Sequence, residues 1–433
     1  MKKIVYLLLY ISIILDAKEI SFEKVTAYAS KHALALQMKQ VEKKIESKKA
    51  EGVAADYYPT LNLVYNSEYT ESLDGVPLGT ESIGGITISN STRYQNSVAL
   101  QLNYNLFHFG ATNSQMQIAN ANVAIKDKEW CQAEKNLQQQ LLKVYADGLK
   151  QLNKKERLSK MLGIREKIYQ TKERLYKVGR YSKVDLGDEA ILLISMQRDI
   201  ENAFMQYRDD LLQLAKLSYM KIDKNDRLIP FILQEKQIST RNFEDTSEAQ
   251  ILKKKIAQKR EEIRLKFRQQ LPSLSLYSNY YLYSSHPTEF EYPISHIGQK
   301  SWNVGFSVRF NIFEGFKNSA ANEQLQLELK NLQTQLVEAK HNFQYENNLK
   351  NTQIKELEIL KTKEGNLLQE NKDKLQMVMR LRENQRVDKL QELNTQYELL
   401  RSNLNLAQRV VDIGFQKLSL IITNRGVDQC TQH

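Results

Sequence analysis

Between Pro77 and Pro230 the chain has no proline, and none follows Pro293. A proline inside a helix removes a hydrogen bond and clashes with the preceding turn, so such stretches permit helices longer than a globular domain usually holds. The residues fill them with heptads. Leu325, Leu329, Leu332, Leu336, Ala339 and Phe343 recur at alternating steps of four and three. So do Leu390, Leu393, Tyr397, Leu400, Leu404, Ala407, Val411, Gly414, Leu418 and Ile421. Leu186, Ala190, Leu193, Ile200, Phe204, Tyr207, Leu211 and Leu214 keep the rhythm, with Gln197 as the polar exception. Seams this long predict coiled-coil packing. A helix from Gly110 to Val178 would run about 100 Å at 1.5 Å per residue. Breaks at Gly179–Lys183 and Arg382–Arg386 fold each helix back on its partner as an antiparallel hairpin.

The same plan is written twice. Tyr58-Pro59-Thr60-Leu61-Asn62-Leu63 answers Leu271-Pro272-Ser273-Leu274-Ser275-Leu276, and Leu102-Asn103-Tyr104-Asn105-Leu106-Phe107 answers Val308-Arg309-Phe310-Asn311-Ile312-Phe313. Val184-Asp185 is matched to Val387-Asp388, and Lys216-Leu217-Ser218 to Lys417-Leu418-Ser419. A period of about 200 residues suits a duplicated domain rather than a solenoid. The expected division is a first repeat at 18–222, a linker or equatorial segment at 223–247, a second repeat at 248–423 and a tail at 424–433. Each repeat holds a lead-in helix, two strands around a polar loop, and a helical hairpin (110–222 and 315–423).

The strands, at about 59–70, 95–108, 272–283 and 301–313, alternate. Leu61, Leu63, Tyr65 and Tyr69 share one face, against Thr60, Asn62, Asn66 and Glu68. Trp302, Val304, Phe306, Val308, Phe310 and Ile312 do the same in the fourth strand. This period fits either a half-buried soluble sheet or the wall of a membrane barrel. Aromatics at strand ends suggest interfacial belts: Tyr57, Tyr58, Phe107 and Phe109 on one side, and Tyr69, Tyr94 and Trp302 nearer the other. Four strands cannot close a barrel, and an open edge in lipid leaves backbone groups unpaired, so copies must pool strands.

Lys2, Lys3 and the apolar run Ile4–Leu15 read as a secretory leader (residues 1–17, cut after Ala17), with an uncleaved anchor helix as the alternative. No later apolar run approaches the ~18 residues of a membrane helix, so any membrane contact must come from strands. The formal charge is +11, and losing Lys2, Lys3 and Asp16 leaves +10. No groove-reading or base-stacking motif accompanies that charge, and nucleic acid is not expected as a partner of an exported chain. Cys131 and Cys430 read as two incidental free thiols, although export permits a disulfide. No nucleophile elbow, phosphate loop or zinc spacing is present. Asp209-Asp210 and Glu261-Glu262 read as exposed helix charges, and His286 and His296 as solvated loop residues. The reading is therefore no enzyme, no metal and no cofactor.

The chain resembles the TolC-like outer-membrane efflux family. The residues that carry this are Ser21-Phe22-Glu23-Lys24-Val25 followed by Ala33-Leu34, the strand starts at Pro59 and Pro272, and Asn105-Leu106-Phe107 with Asn311-Ile312-Phe313-Glu314-Gly315 before the helices. Val178-Gly179-Arg180-Tyr181-Ser182-Lys183-Val184-Asp185-Leu186 adds a hairpin tip. The resemblance implies a mixed α and β membrane protein. Four strands per chain would contribute to a trimeric twelve-stranded outer-membrane barrel, and long antiparallel coiled-coil helices would form a periplasmic tunnel. It implies a homotrimer in outer-membrane lipid, docked to a periplasmic adaptor (membrane fusion) protein and an inner-membrane pump, as the exit duct of a tripartite efflux or type I secretion system.

It also implies adaptor docking at Val178, Gly179 and Arg180, answered in the second repeat by Leu381, Arg382 and Glu383 without glycine. Asp185 and Asp388 match acidic entrance residues. The usual closing Tyr and Arg are replaced by Met379 and Asn384, and a second constriction Asp by Gln391. Arg180, Lys183, Arg380, Arg382, Arg386 and Lys389 crowd the tips. They read either as an entrance that attracts cations weakly or as solvated helix-end charges. The alternatives to the duct are a soluble exported coiled-coil scaffold, which leaves the alternating strands unexplained, and a passive porin, which leaves the long helices unexplained.

Overall fold

The computed structural model describes residues 18–70, 82–83, 86–87, 94–232, 242–286, 288–426 and 430. The expected leader and most of the loop at 71–93 lie outside the described residues. In chain order the elements are β1 (Glu19–Ile20), α1 (Phe22–His32), α2 (Leu34–Ala54), β2 (Thr60–Tyr69), β3 (Ser82–Ile83), β4 (Ile86–Thr87), β5 (Tyr94–Phe107), α3 (Ala111–Lys177), α4 (Lys183–Ser218), β6 (Arg227–Leu228), α5 (Ser247–Arg268), β7 (Ser273–His286), α6 (Glu291–Ser295), β8 (Gln299–Arg309), α7 (Lys317–Glu383) and α8 (Lys389–Thr423). Both long helices have 67 residues, the length that the proline-free stretches allow. No helix among the described residues is long and apolar enough to cross a membrane.

The chain forms two compact units that cut across the repeats. One comprises Met1–Gln40, Lys128–Gln250 and Glu338–His433, the other Val41–Asp127 and Ile251–Val337.

The first unit is a row of helices. α4 lies antiparallel on α3, with Lys172 on Glu189 at 2.8 Å and the Lys155 ammonium 4.1 Å over the Phe204 ring. α8 lies antiparallel on the other flank of α3, where Arg157 donates to Asn403 at 2.8 Å and Lys150 meets Asp412 at 2.6 Å. α7 packs on α8 through Asn371–Ser402, Arg409–Glu364 and Lys417–Glu358. The order is therefore α4–α3–α8–α7. The heptad residues Tyr207, Leu211, Leu214, Leu390, Leu393 and Val411 are buried, as seam positions should be.

The start of the chain and the segment between repeats complete this core. β1 pairs in parallel with β6. The Tyr145 hydroxyl lies 2.8 Å from the Ile20 carbonyl oxygen and 2.7 Å from that of Ile229, sharing one proton between them. Burial pushes its pKa well above the ordinary tyrosine value. Ile20, Phe22, Val25, Leu141, Leu142 and Leu228 close the cluster. The segment at 223–247, read as a linker, thus contributes a strand and buried side chains.

The expectation of two free thiols is overturned. Cys131 on α3 and Cys430 form a disulfide with Cα atoms 5.7 Å apart. The partners are 299 positions apart in sequence. Only the antiparallel return of α8 along α3 brings the tail to Cys131.

The second unit holds one antiparallel sheet in the order β2-β5-β7-β8, so the two repeats meet at β5–β7. The expected alternation is present. Leu63, Leu100, Tyr280 and Trp302 form a row across all four strands, and each is exposed. The other face carries the buried pair Ala99 and Tyr281 and the bond from Asn279 to Asn303 at 2.9 Å. Gly305 makes room for Tyr277: a Cβ at that position would stand 2.6 Å from the tyrosine oxygen. Among the described residues, β2 and β8 have no strand on their outer edges.

Candidate functional site

Both hairpin tips belong to the first unit and are built alike. α3 ends at Lys177, and Gly179 is left-handed at φ +76°. The Gly179 N–H donates to the Tyr176 carbonyl at 2.9 Å and the Arg180 N–H to the Leu175 carbonyl at 2.8 Å, which is the Schellman ending of a helix. α7 ends at Glu383 in the same way. Gln385 is left-handed at φ +55°, its N–H donates to Arg382 at 2.8 Å, and the Arg386 N–H donates to Leu381 at 2.9 Å.

This geometry corrects the register of the repeat. The structural counterpart of Val178-Gly179-Arg180 is Asn384-Gln385-Arg386, at an offset of 206, not Leu381-Arg382-Glu383. Leu381, Arg382 and Glu383 form the last turn of α7, and the first two lend their carbonyls to the cap. The same offset relates Phe107 to Phe313 and the left-handed pair Phe109-Gly110 to Gly315-Phe316. By this register Asp185 and Asp388 are not equivalent, and Lys216-Leu217-Ser218 does not answer Lys417-Leu418-Ser419.

Asp388 is the N-cap of α8, accepting from the Gln391 N–H at 2.8 Å, and its counterpart is Ser182, the N-cap of α4. Asp185 stands three residues inside α4 and closes a capping box with Ser182. The Ser182 hydroxyl donates to it at 2.6 Å and the Ser182 N–H at 3.2 Å. Those two bonds hold its carboxyl below the usual range.

Two buried carboxylates, absent from the sequence reading, tie the tips. Glu189 on α4, 2 % exposed, receives Arg165 at 3.0 Å and Lys172 at 2.8 Å from α3. Glu392 on α8 receives Arg382 from α7 and Lys389 at 2.9 Å. Burial pushes the Glu392 pKa up, but hydrogen bonds and positive charge from Lys389 and Arg382 outweigh it and hold the carboxyl low. Arg382 is therefore bound to a carboxylate, although it is exposed like Arg180 and Arg386. Each glutamate sits beside apolar seam positions, which was the available signal. Leu390 and Leu393 pack with Ile168, Leu175 and Tyr181, so the two tips share one surface.

On the sheet, Tyr57, Tyr58, Phe107 and Phe109 flank the end where β2 begins and β5 finishes, and Phe107 and Phe109 stack edge-on at 4.8 Å. Tyr69 and Tyr94 are register partners at the other end, 4.9 Å apart. Trp302 does not join them. It lies in the row of Leu63, six residues along β2 from Tyr69.

Comparison with known folds places this arrangement. The outer-membrane protein VceC of Vibrio cholerae superposes with a TM-score of 0.77 at 14% identity, over 94% of this chain and 96% of that one. The Campylobacter jejuni CmeC outer membrane channel gives 0.74 at 14% identity, over 93% and 84%. The open Neisseria gonorrhoeae MtrE outer membrane channel gives 0.69 at 15% identity, over 93% and 88%. No curated protein matches the sequence. Residues 28–218 match the family model described as outer membrane efflux protein. Over that span, less than half of its length, the chain is similar to that family. The family model and these folds together point to an outer-membrane efflux duct. The family model covers the first repeat, while the channel fold extends through both, so the second repeat carries the same architecture with a sequence of its own. The two tips are thus one design in two spellings: glycine and serine in one, glutamine and aspartate in the other.

Proposed function

We propose that three copies of the chain close into one duct, with a twelve-stranded barrel in the outer membrane and a helical tunnel in the periplasm. The observation that carries this reading is a pair of open ends in each unit. The sheet leaves β2 and β8 unpaired, and an unpaired edge in lipid costs several kcal/mol per backbone group. The helix row ends on α4 and α7. α4 exposes Val184, Ile191, Ile194, Met205 and Leu212, largely in steps of seven, and α7 exposes Tyr345, Ile359, Leu367 and Met377. A sheet and a helix row that each end differently on their two sides favour head-to-tail contacts that close a ring. Two copies would give eight strands and a filled lumen, whereas three give twelve and leave a passage. Strands of 10 to 14 residues suffice to span the membrane at a tilt.

In this reading the tips face the periplasm. They meet an adaptor through Val178, Gly179 and Arg180 on one hairpin and Asn384, Gln385 and Arg386 on the other, and an inner-membrane pump supplies the energy. The duct performs no catalytic step. Asp185, Asp388, Arg382 and Arg386 line the entrance, and because Glu392 binds Arg382, Arg386 carries more of the effect on permeant ions. Native mass spectrometry of the protein extracted from outer membranes should give three mature chains. A monomer, or recovery in the soluble periplasmic fraction, would sink the reading. Single-channel reversal potentials should move toward cation preference in Arg386→Ala more than in Arg382→Ala.

A further inference from the structure

Beside the core of the helix row lies a cavity of about 540 Å³, a size that suits a small molecule. It is lined by α3 and α8, by β6 with the residues that follow it to Pro230, and by Glu19 of β1. Most of the lining is apolar: Leu149 and Leu152 on α3, Leu228 and Ile229 at β6, Val410 and Val411 on α8. Leu149, Leu228 and Val411 also belong to the buried cluster, so one wall of the cavity is the core itself. One cation in this lining lacks a countercharge. Arg157 of α3 is half-buried; its Nε donates to Asn403 and an Nη to Asn153, both at 2.8 Å. Both acceptors are neutral amides, and among the described residues Arg157 forms no ion pair. Burial pulls its pKa down, and Glu156 only partly opposes the shift. The other charges are answered or lie in water: Glu156 holds Arg227 at 2.8 Å, and Glu19 is exposed. The two asparagines fix the guanidinium plane and leave part of its fork of donors free.

We propose that this cavity binds a single-chain aliphatic carboxylate, with its head group on Arg157 and its chain along Leu149, Leu228 and Val411. A carboxylate matches the planar fork of a guanidinium and supplies the charge that Asn153 and Asn403 cannot. The alkyl chain covers apolar surface that is otherwise wet. A cationic amphiphile meets Arg157 with like charge, and a neutral one gains the apolar contact alone. All the lining residues belong to one chain and one unit, so the ligand needs neither ring closure nor a docked partner. In the ring proposed above, neighbouring copies meet the ends of the helix row, α4 and α7, and leave the α3–α8 pair uncovered.

The test uses the full-length protein in phosphatidylcholine nanodiscs, with empty nanodiscs as the reference for partition into lipid. Titration calorimetry with octanoate, nonanoate and decanoate should show saturable binding that tightens about fourfold with each added methylene. Decanoate should also raise the thermal midpoint, because it binds the folded chain. Decanol should bind about tenfold more weakly than decanoate, for want of a charged hydrogen-bond partner, and decyltrimethylammonium more weakly still. Arg157→Gln should erase the preference for decanoate over decanol while circular dichroism shows an unchanged helical fold. Ala407→Phe, which adds bulk to the cavity from α8, should weaken decanoate and decanol alike. Should Arg157→Gln fail to fold, Val410→Phe, at an exposed lining position, serves as the second blocking variant. Heat no greater than that of empty nanodiscs, equal binding of decanoate and decanol, or tighter binding of decyltrimethylammonium would each overturn the proposal. So would a decanoate affinity that Arg157→Gln or both blocking variants leave unchanged.

Discussion

Exchanging the residue types at the two helix caps should move the tips in opposite directions. Gly179 and Gln385 occupy the same left-handed position, φ +76° and +55°. For a residue with a Cβ that conformation costs roughly 1–2 kcal/mol. Glycine avoids it but gives back about 0.5–1 kcal/mol through the greater freedom of its unfolded chain. The difference predicts that Gln385→Gly stabilises its tip by about 0.5–1 kcal/mol and that Gly179→Ala destabilises the other by a similar amount. Nothing lies within 4 Å of a Cβ at Gly179, so the alanine effect is one of backbone alone. A change this small is invisible in a global melt of 433 residues but not in local amide exchange. With tenfold corresponding to about 1.4 kcal/mol, protection of the Gln385 and Arg386 amides should rise two- to fivefold in Gln385→Gly. That of Gly179 and Arg180 should fall by the same factor in Gly179→Ala. Unchanged exchange at both tips, or shifts of the same sign, would refute the equivalence of the two caps.

Three further outcomes are expected. The unreduced chain should migrate faster in denaturing gels than the reduced one, and Cys430→Ser should abolish the difference and lower the thermal midpoint; the chain-entropy ceiling for so long a loop is roughly 6 kcal/mol. Because the Glu392 carboxyl is held below its unfolded value of 4.5, the stability it contributes is complete above about pH 4.5 and is lost as pH falls through the lower folded value. A spin label at Asn384→Cys should therefore gain mobility on acidification in the parent protein, and Glu392→Gln should remove that response. Asp210 is pushed the other way, to about 6, by burial and by the charges of Asp147 and Asp209, so its cost to the fold appears as pH rises through that value. Asp210→Asn should raise the thermal midpoint at pH 7.5, with the gain vanishing below pH 4.

The elements were legible in the sequence because their signals are local and repeated. Alternation marked all four strands to within a few residues, and heptads with absent proline marked the long helices. The register between repeats was not. The dipeptides Val184-Asp185 and Val387-Asp388 look alike, yet capping allows Ser182 and Asp388 to do the same work and leaves Asp185 a different one. The left-handed residue after a helix is usually marked by glycine, and Gln385 hides it. Glu189 and Glu392 were missed because burial of a charge depends on cations that another helix, or a distant turn, brings to it. The exposed apolar stripe on α4 runs beside the buried one, and no pattern within a single helix tells which stripe meets its own chain.

The first and last described elements meet on one helix. Ile20 is held by Tyr145 and Cys430 by Cys131, both on α3. Arg425 reaches Glu134 at 3.4 Å, and Lys135 donates to the Thr423 carbonyl at 2.9 Å. In an amino-terminus-first synthesis α3 is made long before Thr423, Arg425 and Cys430, which lie against it. Loss of Arg425 and Cys430 would thus uncover the face of α3 around Cys131 and Glu134, so that the second repeat closes a surface built by the first.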